Sequence, residues 1–292
     1  MVSRAAVPRE LFHTADEAPR YVFEGALYFG LIHAHLGLAL AGLVPAWTMA
    51  VLLPIWMVRT MIGRHELIHL RSALHVDAFT RRWPVLAMLT PLSAGYREYR
   101  DNHQLHHKYL LTERDPDLYQ MRGSKLAGFL NVLTAPEQDL VRWVAAHGVD
   151  RDLVANVLMR GTFFVAVAAV SGPLFLWYWV PLRLTYAAAL FIFTYGLHRR
   201  GDAEGTFAIP LGPVAIAAFV ALFGRTAWQA VCNHDVHHAD TRIAADRLDE
   251  ARARMESAGD EAEEPVMAAP VAAGSSVMPP PSEARQPSER AA

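Results

Sequence analysis

Two long stretches of the chain contain no Asp, Glu, Lys or Arg, and they constrain the fold more than any other feature. They cover residues 25–58 and residues 161–182. A hydrocarbon core of about 30 Å is crossed by about 20 apolar residues in a helix, so the first stretch is long enough for two spans joined by a turn. Because a helix satisfies its backbone polar groups internally, we expect an all-α integral membrane protein.

Four spans, multi-pass, account for the apolar stretches: roughly residues 21–43, 46–63, 154–177 and 179–198. Their short connections, near 44–45 and 180–181, are nearly free of positive charge, whereas residues 59–125 contain eleven Lys and Arg residues. Since positively charged loops stay on the cytoplasmic side, both termini and this long loop are predicted to be cytoplasmic. Two further apolar segments, 83–96 and 205–224, are predicted to lie at the membrane interface.

The segments outside this membrane domain, which we place at residues 21–240, have different compositions. Residues 1–20 lack the apolar stretch of a cleavable signal peptide and are predicted to form a cytoplasmic lead-in. Residues 241–264 are acidic and favour a helix. Residues 265–292 are rich in Pro, Ala and Ser, with too little apolar content to pack, so we expect a disordered tail.

Charge and cysteine content exclude several classes of protein. The net charge is −2 and no block of Lys and Arg is present, which argues against nucleic acid as a partner. Cys232 is the only cysteine, so an internal disulfide and a cysteine-ligated iron–sulfur or zinc site are excluded. Any metal ligands must therefore be other side chains.

Eight of the fourteen histidines fall in three tight clusters, which we call boxes 1, 2 and 3. On a helix, residues i, i+3 and i+4 share a face, so each box can direct two or three imidazoles toward one point. Imidazole binds iron, copper and zinc. The boxes are His65 and His69; His103, His106 and His107; and His234, His237 and His238.

So many histidines exceed the needs of one four-coordinate zinc ion. They suit two ions of higher coordination number with positions left open for O₂, which favours a dinuclear iron site. A carboxylate-type di-iron site in a helical bundle would instead combine paired Glu-x-x-His motifs with further glutamates, whereas the three boxes here consist mainly of histidines.

The order of the boxes, two after the second predicted span and one after the fourth, resembles that of the membrane fatty-acid desaturases. Box 2 is followed by a short spacer and Asp115-Pro116-Asp117, which is similar to the same family. The resemblance covers about residues 21–240 and implies four spans beneath a cytoplasmic histidine-rich cap with a non-haem di-iron centre. Residues 239–242 depart from the continuation common in acyl desaturases, which leaves the substrate class open.

The resemblance also implies the ligand set. The family usually adds a ligand just after its fourth span, and His198 occupies that place. Together with the three boxes, this gives nine expected metal ligands for two iron ions per chain.

The activity implied by the resemblance is O₂-dependent oxidation of a lipid acyl chain. We favour desaturation, on the context of Asp115-Pro116-Asp117, over hydroxylation of an acyl, alkyl or carotenoid-type substrate. No nucleotide-binding glycine fingerprint is present, and one cysteine cannot bind an iron–sulfur cluster. Electrons are therefore expected from a separate carrier of the ferredoxin, rubredoxin or cytochrome type and its reductase, docking on the basic surface between residues 59 and 122.

Box 1 also fits the His-Glu-x-x-His pattern of zinc peptidases, in which Glu66 would be a general base. A membrane metallopeptidase is therefore a rival interpretation, although it leaves both triplets unexplained. A membrane metal-binding protein without oxidase activity is the non-enzymatic alternative. In the desaturase interpretation, Glu66, Asp235 and Asn233 are expected to support the ligands as hydrogen-bonding partners. His13 is isolated in the sequence and receives no assignment.

Overall fold

The computed structural model describes residues 7–70 and 88–263, with side chains described up to residue 257. The predicted tail and the first part of segment 83–96 lie outside the described residues. In chain order the helices are α1 (Ala18–Leu40), α2 (Met49–His69), α3 (Tyr96–Tyr109), α4 (Leu118–Met121), α5 (Lys125–Leu133), α6 (Ala135–His147), α7 (Arg151–Ser171), α8 (Phe175–Phe191), α9 (Pro213–Phe223), α10 (Arg225–Cys232), α11 (His234–Ala239) and α12 (Leu248–Glu263).

Short elements complete the described chain. An antiparallel hairpin pairs β1 (Arg199–Arg200) with β2 (Ala203–Glu204). A π-helical turn, Ile192–Gly196, continues α8 toward this hairpin. The prediction of a predominantly helical chain is confirmed. The 3₁₀ turns are Arg9–Leu11, Ala15–Glu17, Ala46–Thr48, Gly172–Leu174 and Ala245–Arg247.

Three helical segments among the described residues are long and apolar enough to cross a membrane. They are Ala15–Leu40, Ala46–His69 and Arg151–Gly196. The third has 46 residues and contains both α7 and α8. The rings of Phe164 and Phe175 contact each other with centroids 5.3 Å apart, so α7 and α8 fold back on one another.

The turn between α7 and α8 lies earlier than the sequence suggested. It falls at Gly172–Leu174, not near 180–181, and Pro181 lies inside α8. Gly172 has a φ of 51°, a conformation that ends a helix at little cost only in glycine, and Pro173 follows it. The glycine is therefore the stronger helix-ending signal here.

The turn after α1 has the same physical origin. Gly42 has a φ of 70°, and its N–H donates to the carbonyl of Ala39 while the N–H of Leu43 donates to that of Leu38. This bonding pattern satisfies carbonyls that the helix leaves unpaired. It turns the chain so that α1 and α2 pack side by side and α2 carries box 1 at its C-terminal end.

The core of the apolar helices also contains part of a segment that we expected at the interface. Met88 and Leu89, each 1% exposed, pack against Ile32 and Leu182. The Trp179 indole N–H donates to the carbonyl of Leu89 at 2.7 Å. Most of the described part of segment 83–96 is therefore buried, although Leu92 is 52% exposed.

A second core lies beneath the histidine boxes and includes the predicted separate segment 241–264. Leu248, Ala251 and Met255 occupy one face of α12 and are at most 1% exposed. They pack with Leu11 and with Ala230 of α10. The acidic segment is thus helical as predicted, but it packs into the same unit as the boxes. Its apolar spacing at i, i+3 and i+7 explains why.

Helix α9 lies within the segment 205–224, which we expected at the interface. Its 11 residues correspond to a length of about 17 Å, well short of the hydrocarbon thickness of about 30 Å. The helix alone therefore cannot cross a bilayer.

Candidate metal centre

The histidines of the three boxes and His198 come together in two groups. In each group the potential ligand atoms all lie within 4.8 Å of one another. We call them the first and second histidine groups. The first consists of His65, His69, His103, His107 and His237; the second consists of His106, His198 and His238.

The helical spacing divides boxes 2 and 3 between the two groups. Positions three and four residues along a helix lie on opposite sides of the starting residue, about 100° apart. His103 and His107 therefore face the first group, whereas His106 faces the second. In box 3, the neighbours His237 and His238 diverge in the same way. Our expectation that each triplet points toward a single site needs this correction.

His234 lies next to the second group. Its Nε2 is 3.2 Å from Nε2 of His198. All nine histidines named from the sequence are therefore brought into one contiguous cluster, built from the ends of α2 and α8 and from α3 and α11.

The donor atoms of this cluster fit a metal centre. Nε2 of His103 lies 3.1 Å from Nε2 of His69 and 2.9 Å from Nε2 of His107. Nε2 of both His237 and His238 is buried without a hydrogen-bond partner among the described residues. Imidazole nitrogens that converge on each other, with buried nitrogens left unpaired, are the arrangement that a cation satisfies. An all-nitrogen set suits iron, copper or zinc.

The protonation state of the cluster also favours metal binding. Burial, with repulsion from neighbouring histidines, lowers the pKa of His198 to about 4 and that of His237 to about 3. The same causes lower the pKa of His103 and His107 well below its usual value. These imidazoles are neutral at neutral pH, which is the form that binds a metal.

Carboxylates and a carbonyl orient individual imidazoles. Glu66, 1% exposed, contacts Nδ1 of His65 through Oε1 at 3.0 Å. Asp115 contacts Nδ1 of His106 at 3.0 Å, and although burial lowers the pKa of His106, this carboxylate and Asp117 raise it more. Nδ1 of His198 donates to the carbonyl of Gly205 at 3.0 Å. Such partners fix the tautomer and orientation of a ligand.

The other two residues expected to support ligands contact different groups. Asp235 pairs with the guanidinium of Arg252. Asn233 donates to Gln229 Oε1 at 2.7 Å and accepts from Nε of Arg252 at 2.7 Å. Both side chains thus connect the start of α11 to α12, and Asn233 also connects it to α10.

His13 contacts the cluster, although no role could be assigned to it from its place in the sequence. Its Nε2 lies 3.5 Å from Oε2 of Glu66, and its ring lies parallel to that of His69 with centroids 6.4 Å apart. No local pattern marks it, because its contacts depend on the docking of the N-terminal segment more than 50 residues away from box 1.

A cavity lies against both histidine groups. It contacts His65 and His103 of the first group and His106 of the second. Its apolar part is lined by Met57, Met61, Ala189, Leu190 and Phe193. Its polar part is lined by Arg64, Asn102, Asp117, Gln120 and Asp139.

The fold and the site define a class of protein: a chain with membrane-type helices that places clustered imidazoles beside an apolar cavity. The model of the fatty acid desaturase family matches residues 39–268. The chain therefore belongs to the fatty acid desaturase family, as its boxes predicted. No curated protein and no solved structure gave a significant match.

Family membership and structure together give a coarse description of function. The protein is an integral membrane oxidoreductase of the desaturase and hydroxylase type, with a lipid acyl substrate and histidine clusters able to bind metal. The match extends beyond residue 240, in agreement with the packing of α12 beneath the boxes.

Proposed function

We propose that this protein is an O₂-dependent acyl desaturase that binds two non-haem iron ions. The observation that supports this most directly is the division of the histidines into two groups beside one cavity. A single mononuclear site would leave one group without a purpose. Two neighbouring ions next to an apolar cavity would suit the oxidation of an unactivated C–H bond.

In this proposal the first and second histidine groups each bind one ion, and His234 completes the second. The bound iron pair, with O₂, supplies the redox chemistry that removes two hydrogens from neighbouring acyl carbons. The protein provides ligands, position and a dry environment. His65, His103 and His106 line the cavity, so a chain bound there lies directly against the site.

The apolar part of the cavity is proposed to orient the acyl chain. Met57 and Met61 of α2 face Ala189 and Leu190 of α8 across it. These side chains exclude water and contact methylene groups without a directional preference, so the depth of the chain decides which carbons face the histidines. A small change in that depth separates desaturation from hydroxylation, which is the second candidate reaction.

A four-span topology with both termini in the cytoplasm is part of the proposal. Because α7 and α8 fold back on one another, the 46-residue apolar segment has length for two passes. Box 1 lies at the end of α2, and His198 follows α8. The passes through α2 and α8 would therefore both end at the metal centre. Reporter tags at Met1 and Ala292 should both lie on the cytoplasmic side of the membrane. Tags found on opposite sides would contradict this topology.

Electrons are proposed to come from a separate carrier of the ferredoxin, rubredoxin or cytochrome type, with its reductase. The balanced reaction uses O₂, two electrons and two protons in addition to the two hydrogens of the substrate, and it yields water. Lys108 and Arg242 lie in an open pocket beside His69, His107 and His238, which gives a small acidic carrier a short approach to the site.

The peptidase interpretation has less support. Both oxygens of Glu66 are engaged, one with His65 and the other with the backbone N–H of Ala245, and the residue is 1% exposed. A general base must reach a water molecule beside the substrate. Glu66→Gln should therefore leave lipid oxidation at a reduced level, whereas proteolysis abolished by this change would favour the peptidase.

The test of the proposed function is expression in a host with a simple lipid profile, followed by gas chromatography of the fatty acids. The wild-type chain should produce a new unsaturated acyl chain, and the purified protein should contain iron. A hydroxylated product would identify the second candidate reaction. Active protein with stoichiometric zinc and no iron would contradict the proposal.

A further inference from the structure

The N-terminal segment reaches the metal centre through one buried histidine. The side chain of His13 is 5% exposed. Its Nδ1 lies 3.2 Å from Oε2 of Glu17 and its Nε2 lies 3.5 Å from Oε2 of Glu66. Nδ1 is at hydrogen-bonding distance from Glu17, whereas Nε2 is buried at ion-pair distance from Glu66 without a hydrogen bond to any described residue. The imidazole therefore lies between the N-terminal segment and box 1.

The backbone around His13 is fixed to the segment that follows box 3. The N–H of His13 donates to the carbonyl of Arg242 at 2.8 Å, and the N–H of Ala244 donates to that of Leu11 at 3.0 Å. Arg247 donates to the carbonyl of Phe12 at 2.8 Å and pairs with Glu17. We call residues 9–17 together with residues 242–247 the clasp.

Glu66 is the point where the clasp contacts box 1. Its Oε2 accepts from the N–H of Ala245 at 2.9 Å and faces His13, while its Oε1 contacts Nδ1 of His65. Because a buried carboxylate is stable only when its oxygens have partners, each of these groups limits where the carboxylate can lie. The position of Glu66 in turn fixes the ring of His65.

We propose that His13 is a positioning residue of the metal centre, which holds Glu66, and through it the imidazole of His65, in place for metal binding. This inference rests on the proposed function, since it assigns His65 to a metal ion. The parallel ring of His69, 6.4 Å away, gives His13 a second contact with the first histidine group. The segments before α1 and after α11 thus help to shape a site whose ligands all lie between residues 65 and 238.

Loss of the His13 nitrogens should weaken the first histidine group without removing a ligand. A group in direct contact with a ligand typically contributes 10–100-fold to metal affinity, so a residue one contact further out should contribute about 3–10-fold. His13→Phe tests this, because it keeps a buried ring of similar size. His13→Gln keeps a donor that can reach Glu66 and should recover part of the loss.

The matched control is His147→Phe, the same change at an exposed histidine that stacks on Trp143 with centroids 3.9 Å apart. The full-length proteins are purified in detergent. Their affinity for Fe(II) is measured by chelator competition without O₂, and the unfolding temperature of each metal-free protein is measured in parallel.

The inference predicts weaker iron binding for His13→Phe, an intermediate affinity for His13→Gln, and wild-type affinity for His147→Phe. The metal-free His13→Phe protein should unfold at the wild-type temperature within a few degrees. Unchanged iron affinity for His13→Phe would overturn the inference, and so would an affinity loss matched by the control. If the wild-type protein itself bound no iron, the proposed function would fail instead.

Discussion

The two histidine groups differ in how they are built. The first has five imidazoles, and its carboxylate, Glu66, is part of box 1 and has partners from the segments before α1 and after α11. The second has three, with His234 beside it; its orienting acceptors are Asp115, from the loop after α3, and Gly205, which follows β2. The first group therefore has more imidazoles than the second, even when His234 is counted.

The largest effect is expected on bound iron, and it should differ between substitutions of two neighbouring histidines of α3, His106 and His107. His106→Ala leaves the second ion with His198, His234 and His238 and should lower bound iron from about two ions per chain to about one, because it removes the imidazole that Asp115 orients. His107→Ala removes one of five and should retain more iron. Both changes should abolish product formation, as should His237→Ala. Iron analysis of the purified variants makes the comparison, and equal losses would show that the groups are not distinct.

The next effect concerns the carboxylate of the second group. Asp115→Asn replaces the acceptor of His106 Nδ1 and should lower iron affinity or activity about 10–100-fold. Asp101→Asn is the control, since Asp101 pairs with Arg100 on the same helix as box 2. Chelator competition should show a loss for Asp115→Asn alone. A similar loss in both variants would indicate a general effect of charge near box 2.

A smaller effect is expected from a substitution in the cavity wall, which tests whether the acyl chain lies in the cavity beside the two histidine groups. Ala189 lines the cavity, whereas its neighbour Ala188 is exposed on the outer surface of α8. Ala189→Leu adds three carbons to the cavity wall, and exclusion of that volume should lower kcat/KM for the longest accepted chain about tenfold. Ala188→Leu, the control, should leave this kcat/KM unchanged. Gas chromatography of products from a chain-length series measures the shift, and an unchanged profile would place the acyl chain elsewhere.

The smallest effect is expected at Asp235. Its contact is with Arg252, and both side chains are more than a quarter exposed. A partly exposed ion pair contributes less than about 1 kcal/mol, so Asp235→Asn should change the unfolding free energy by no more than this. Iron affinity should stay at the wild-type level. A tenfold loss of iron affinity would restore our original expectation that Asp235 supports a ligand.

Much of the site could be predicted because its signals are local. The spacing of histidines in boxes 2 and 3 fixes the angles between imidazoles on one helix, and Asp115 follows box 2 by a few residues. The sequence could not tell that His106 and His107 face different groups. That depends on which helices surround α3, and the same spacing is compatible with one shared site.

The sequence by itself determined the apolar helices, the turn after α1 and the identity of the eight box histidines, because charge, helical period and glycine act over a few residues. Only the tertiary structure decided how those histidines divide, that α12 packs beneath them and that His13 contacts Glu66. His13 and Glu66 are 53 residues apart, and Glu66 and Ala245 are 179 apart. Contacts across such separations depend on the packing of whole helices, which no local spacing encodes.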